Sequence, residues 1–350
     1  MGKETSRMGK LGVGIVGPGW AGGEHIAAYM NNPHTEIVAL CGRDENRTRA
    51  KMEEAGLGEC TIYTDYEEML KRDDLGIVSI CTPNDLHVEE GIMAAQAGKH
   101  ILIEKPIALN LEDLKKLRNA IRETGVKTAV GFVLRWNPLY QIIKPLIDDD
   151  AIGRIFYGEV DYFHGIGPWY KQYEWNVKKS VGGSSLLSAG CHAVDGLRWF
   201  VGDEAAEVTA YSTRSNSETF RQYEYDPTMV AIIKFKSGAI GKVASSLDCV
   251  QPYVFNINLI GEKGAIRNNQ LYSHKMPGQT GFATIPTILP DSGDVTHHPF
   301  RGEIDHLVDC ILNDEESFVN VEDGVKTHEI CLAAEISVQE GRSVSLPLLD

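Results

Sequence analysis

The chain has 350 residues, of which 43% are hydrophobic and 24% charged, and a formal net charge of -15 at neutral pH. This composition excludes bulk disorder, and the length exceeds what one hydrophobic core usually supports, so two domains are expected. The acidic balance argues against nucleic acid and membrane surfaces as partners, since both need a basic face, and no apolar run is long enough to span a bilayer.

Residues 1–10 are polar and lack the apolar stretch of a secretory signal; they read as a disordered tail on a cytoplasmic protein. Seven cysteines, at 41, 60, 81, 191, 249, 310 and 331, form no Cys-x-x-Cys pair, which fits reduced thiols. From residue 11 onward, β-rich runs at 11–16, 36–41, 61–63, 77–81, 100–103 and 126–131 alternate with helical stretches at 45–55, 85–97 and 111–124. The alternation predicts an α/β Rossmann domain over 11–134, with a doubly wound parallel sheet.

Near Arg135-Trp136-Asn137-Pro138 the rhythm changes. A helical stretch to residue 147 is followed by strand runs at 155–163, 208–212, 229–235, 240–247, 254–260 and 265–266, with Lys236-Ser237-Gly238 as a hairpin turn. Residues 135–350 are therefore expected to form an α+β domain for substrate binding and oligomerisation. Its mostly antiparallel open sheet would carry helices on one face and pair copies into a homo-oligomer. Helices are expected at 303–312 and 323–340, and 278–299 reads as a loop over a site.

Directly after the first strand, Gly17-Pro18-Gly19-Trp20-Ala21-Gly22 fits the dinucleotide fingerprint, in which glycines let pyrophosphate approach the backbone and a helix N-terminus. The second strand ends in Cys41-Gly42-Arg43. Glycine offers no carboxylate to a ribose, and Arg43 can pair a 2′-phosphate, so the cofactor is NAD or NADP with a lean to NADP. Asp44 either reaches the ribose or caps the next helix, with capping favoured. After the fourth strand, Thr82, Asn84 and His87 are candidate cofactor contacts, the alternative being that Asn84 or Asp85 caps the next helix and His87 lies on its first turn.

The fifth strand ends in Glu104-Lys105-Pro106, placing Glu104 and Lys105 at the sheet edge where ligands bind. A lysine there can stabilise the alkoxide that develops when hydride leaves a carbinol carbon. Further on, Ser188, His192 and Asp195 share one face of a helix at i, i+4 and i+7, if residues 182–201 are continuous. His192 can then accept a hydroxyl proton. Trp169 and Tyr170 suit a sugar's C–H face, with interface core as the alternative, and Arg135 joins Ser188 and Asp195 as a candidate substrate contact. His297-His298 and His306 lack a defined ligand geometry, so no metal is expected.

In this order and spacing, Gly17 to Gly22, Thr82-Pro83-Asn84, Glu104-Lys105-Pro106 and Gly190-Cys191-His192-Ala193-Val194-Asp195 resemble the Gfo/Idh/MocA oxidoreductase family over nearly the whole chain. The resemblance implies that Lys105 is the catalytic lysine, His192 the acid/base near the reacting hydroxyl and Asp195 a substrate ligand. One position departs: many members carry an aspartate where this chain has Ser188, and serine cannot take a proton as a carboxylate does. The expected activity is NAD(P)-dependent oxidation of a secondary alcohol on a sugar, glycoside or cyclic polyol. The alternative is a non-catalytic dinucleotide-dependent sensor or binding protein.

Overall fold

Buried Val, Ile and Leu at consecutive positions, Ile15 and Val16, Ile77 and Val78, Ile101 to Ile103, mark strands covered on both faces, as parallel sheets require. In the computed structural model, which describes residues 9–293, 295 and 298–349, these strands are β1 (Leu11–Val16), β4 (Leu75–Ile80) and β5 (His100–Ile103). With β2 (Thr35–Cys41), β3 (Thr61–Tyr63) and β6 (Thr128–Val130) they form an all-parallel sheet ordered β3-β2-β1-β4-β5-β6. Helices α1 (Trp20–Met30), α2 (Glu45–Glu54), α3 (Tyr66–Leu70), α4 (His87–Gln96) and α5 (Leu111–Thr124) alternate with the strands, giving the expected doubly wound sheet. The tail expected over residues 1–10 lies, up to residue 8, outside the described residues, and so does His297.

The chain divides into two compact units. The first comprises Met1–Glu104, Lys116–Gly131 and Phe300–Val321, and the second Lys105–Lys115, Phe132–Pro299 and Glu322–Asp350. The first unit is thus discontinuous, whereas the sequence suggested a single cut after residue 134. The returning segment carries the whole long helix Phe300–Asn313, which packs on α1 and is tied to the chain just after it where Asn32 Nδ2 donates to Asp305 at 2.7 Å. Just beyond that helix, the Val319 carbonyl accepts from the Val130 amide at 2.9 Å, covering the β6 edge.

In the second unit the elements run α6 (Pro138–Asp148), β7 (Ile155–Phe163), α7 (Tyr173–Asn176), α8 (Lys179–Gly182), α9 (Cys191–Val201), β8 (Ala205–Thr213), β9 (Thr228–Phe235), β10 (Ile240–Ser246), β11 (Val254–Gly261), β12 (Gly264–Arg267), β13 (Gln270–Ser273) and β14 (Ala283–Thr284). The helix returning to the first unit is α10; then come α11 (Val321–Glu340) and β15 (Val344–Ser345). The sheet order is β14-β13-β12-β11-β7-β10-β9-β8-β15. All neighbours are antiparallel except β7 and β10, so the sheet is mixed at its centre. That parallel pair needs a crossover, and α9 lies across it. The loop expected over 278–299 contains the short edge strand β14, which is too brief for any periodicity to announce.

Candidate functional site

The first unit builds a cradle at the end of β1. Gly17 sits at φ 78°, and a Cβ there would meet the Cys81 carbonyl oxygen at 2.7 Å, so both the turn and the closeness of two strand ends demand glycine. Gly22 lies in α1 against the Gly17 carbonyl, where a Cβ would come within 2.5 Å. Helix α1 starts after Gly19 with no side-chain cap and no acidic residue in its first turn, leaving its amides open to an anion. Trp20 is exposed beside the cradle, edge-on to Phe300 at 5.7 Å, and Ala21 is half-buried. These features fit the diphosphate of a dinucleotide.

At the end of β2, a Cβ on Gly42 would strike the Thr48 hydroxyl at 2.4 Å, so a carboxylate there requires the Thr48 side chain to give way. Arg43 is exposed, and Asp44 caps α2 by accepting from the Arg47 amide at 3.1 Å. After β4, the Thr82 hydroxyl donates to Glu90 at 2.5 Å, and burial pushes the Glu90 carboxyl up to about 7. His87, expected at the cofactor, is fully buried with Nε2 2.9 Å from the Thr82 carbonyl. That contact ties the first turn of α4 to the loop after β4. Asn84 is buried in the same loop.

Glu104 also turns inward. Its Oε1 lies 3.2 Å from His25 Nε2, and Glu303 Oε1, from α10, lies 3.9 Å from the same nitrogen. His25 Nδ1 meets the Ser79 hydroxyl at 2.6 Å. Glu303 is fully buried, and neither carboxyl oxygen has a hydrogen-bond partner among the described residues. Burial holds the Glu303 carboxyl well above its ordinary range, with Glu104 adding to the rise and His25 opposing it. Burial lowers the His25 basicity, but Cys81 and Glu104 outweigh it and raise the imidazole well above its usual value. Burial and Glu104 thus favour the protonated form of Glu303, and Cys81 and Glu104 favour that of His25. Sequence reasoning missed this cluster because its members are joined only by the fold.

In the second unit, Lys105 donates from Nζ to the Ser188 carbonyl at 3.1 Å, and the Ser188 hydroxyl donates to Asn176 Oδ1 at 2.6 Å. Residues Leu186–Gly190 form a π-helical turn that enters α9, so the even i, i+4, i+7 face expected for Ser188, His192 and Asp195 is interrupted after Ser188. His192 is buried between rings: Phe132 edge-on at 6.2 Å, Tyr162 stacked at 6.4 Å and His298 at 6.1 Å. Its Nδ1 has no hydrogen-bond partner among the described residues. Burial, then the Lys105 ammonium, then His298 hold its pKa well below the ordinary imidazole value, so the ring is neutral at neutral pH and can accept a proton.

Asp195 and Arg135, expected at the substrate, are paired with each other in the interior. Arg135 Nε and Nη2 donate to the two Asp195 oxygens at 2.8 and 2.6 Å, and each residue is 2% exposed. Asp323 also accepts from Arg135, and Thr327 donates to Asp195 at 3.2 Å. A buried arginine fork consumes the carboxylate that sequence order alone offers to a ligand. Trp169 is exposed and Tyr170 half-buried, with the Tyr170 hydroxyl 2.6 Å from His164 Nε2. Tyr162, His164 and Tyr253 join them in one aromatic group; Tyr162 and His164, two residues apart at the end of β7, share a face in a way strand periodicity could have shown.

The N-terminal residues 11–132 match the family model described as an oxidoreductase family with an NAD-binding Rossmann fold, and residues 140–267 match the GFO/IDH/MocA C-terminal domain. The chain is 28% identical over 334 residues to scyllo-inositol 2-dehydrogenase (NAD(+)) of Bacillus subtilis, covering 95% of each chain. It is 24% identical over 335 residues to D-xylose 1-dehydrogenase (NADP(+)) 2 of Haloferax volcanii, covering 95% of this chain and 99% of that one. An oxidoreductase domain protein from Kribbella flavida superposes with a TM-score of 0.86 at 27% identity, over 97% of this chain and all of that one. Levoglucosan dehydrogenase in complex with NADH and levoglucosan shares the fold, with a TM-score of 0.87 at 24% identity over 97% of this chain and 100% of that one. With both domains matched and both sheets in place, the chain belongs to the Gfo/Idh/MocA oxidoreductase family.

Proposed function

We propose that the protein is an NAD(P)-dependent dehydrogenase that oxidises a secondary alcohol of a sugar or cyclic polyol, with Lys105 and His192 as its catalytic residues. The observation that carries this reading is the buried His192 imidazole, whose Nδ1 has no hydrogen-bond partner among the described residues, with Lys105 bonded to the turn that leads into its helix. A non-catalytic sensor needs neither group. The named activities of inositol and xylose dehydrogenases among the relatives support the substrate class.

A bound nicotinamide supplies the hydride acceptor. The chain's own residues do the rest. Lys105 lowers the cost of negative charge on the substrate oxygen as the carbinol C–H bond breaks, and His192 takes the hydroxyl proton. The usual carboxylate before the histidine is replaced by Ser188, whose hydroxyl is held by Asn176; the proton therefore rests on His192 without a carboxylate relay. Arg135 and Asp195 act as positioning residues that anchor α9. In the first unit, Gly17, Gly19 and Gly22 admit the diphosphate, and Gly42 with Arg43 favours the 2′-phosphate of NADP.

Tyr211, Val230, Ile232 and Ile240 are exposed on the sheet face opposite α9, and Tyr211 pairs directly across from Val230. This apolar stripe supports a homo-oligomer built through the open sheet, and loss of native mass on Ile232→Glu would test it. The reading as a whole is tested by titrating NAD(H) and NADP(H) calorimetrically and following nicotinamide absorbance with inositols and sugars. Binding of a nucleotide with turnover of a polyol is expected; no binding of either nucleotide would overturn it.

A further inference from the structure

The second unit contains a cavity of about 810 Å³ beside the aromatic group that reaches His192 through Tyr162. Its lining includes the aromatic residues Trp169, Tyr170, Phe220 and Tyr253 and the polar Gln251 and Asp291. Its size matches sites for drug-sized ligands, well beyond one pyranose ring. His192 does not line it. The rings connect the two places: His192 stacks on Tyr162, Tyr162 contacts Tyr253 at 5.0 Å, and Tyr253 lines the cavity.

Trp169 is 64% exposed yet held in place. Its indole lies over the Gly167 backbone so closely that a Cβ on Gly167 would fall 2.5 Å from the ring, and Phe220 meets it edge-on at 6.0 Å. A large apolar face kept in solvent and fixed in orientation is a stacking platform, prepared for a flat, partly apolar ligand face at little ordering cost. Sugar rings present such a face, with hydroxyls at their edges for groups such as Gln251 and Asp291.

Resting on the dehydrogenase reading above, we propose that the substrate is a glycoside with two rings, one oxidised at His192 and the second stacked on Trp169. Ring contacts at 6.4 and 5.0 Å lead from His192 through Tyr162 to Tyr253 at the cavity wall, so a ligand held at both places needs more than one ring. A single-ring sugar would leave the platform empty.

The test compares kcat/KM for free hexoses and inositols with their disaccharides and galactosides, in the wild type, Trp169→Ala and Gly167→Ala, with calorimetric binding of the same compounds. Two-ring substrates should be preferred by the wild type. Either variant should lower their kcat/KM about tenfold while changing single-ring compounds by less than about twofold, the size expected for one lost stacking contact. Unchanged melting and nucleotide affinity will show that the variants fold. Equal losses for both substrate classes, preference for a single ring, absence of both binding and turnover for every two-ring compound, or a drop in native mass on Trp169→Ala that assigns the platform to a second copy, would each overturn the proposal. A wild type that binds no nucleotide would instead bring down the dehydrogenase reading.

Discussion

Replacing Arg135 with methionine removes the donor fork from Asp195 and one partner from Asp323. Two carboxylates then remain beside a side chain of similar volume, one of them 2% exposed, and the Thr327 hydroxyl is the contact Asp195 keeps. An uncompensated buried charge of this kind costs about 3–5 kcal/mol. Urea unfolding followed by tryptophan fluorescence should show that loss at unchanged m-value, and Asp195→Asn on the Arg135→Met background should recover part of it. The pair's positioning role makes a second expectation: nucleotide affinity, which belongs to the first unit, should change by less than about twofold. A loss below about 1 kcal/mol, together with a large rise in substrate KM, would refute the structural assignment and return both residues to the substrate. The same network has a pH signature. Burial pushes the Asp323 carboxyl up, but Arg135 and Arg198 outweigh it and hold it below the ordinary range, so its stabilisation is present above its unfolded pKa and lost as pH falls through the folded one.

Gly17→Ala should abolish nucleotide binding in calorimetry, because a Cβ at φ 78° meets the Cys81 carbonyl; retained affinity would contradict the cradle. The acid limb of kcat/KM for alcohol oxidation should lie below the ordinary imidazole value of 6.5, since burial and Lys105 keep His192 unprotonated to lower pH. An inflection at or above that value would contradict the burial argument. Glu303→Gln should leave melting nearly unchanged below about pH 4.5, where the carboxyl is protonated in the folded and unfolded states alike, and should gain on the wild type as pH rises above that value. The wild-type contribution of Glu303 falls as pH rises through its raised pKa, so the variant should be the more stable protein in alkaline buffer. Equal thermal profiles across that range would show that Glu303 carries no raised pKa.

Much of the first unit was legible because parallel strands are short apolar runs and their helices end in glycines: β1, β3 and β5 fall where the pattern places them. The fingerprint was legible because its chemistry is local. The return of α10 to the first unit was not, since an amphipathic helix does not state which sheet it covers. Nor was the π-helical turn before α9, where one extra residue breaks the face joining Ser188 to His192. Asp195 and His87 show the same limit from the other side: a polar residue in a good motif position can be taken by a buried arginine or a backbone carbonyl that only the fold brings near. Glu303 had no local pattern at all, and its meaning comes from His25 and Glu104.

The most direct measurement of the central claim is Lys105→Met assayed for nucleotide affinity and for single-turnover oxidation of the best polyol or glycoside. Nucleotide affinity should stay within about twofold, while the hydride-transfer rate should fall by about 10²–10³, the usual loss when a donor to a developing oxyanion is removed. Full turnover by a Lys105→Met protein that still binds nucleotide would contradict the assignment of this site.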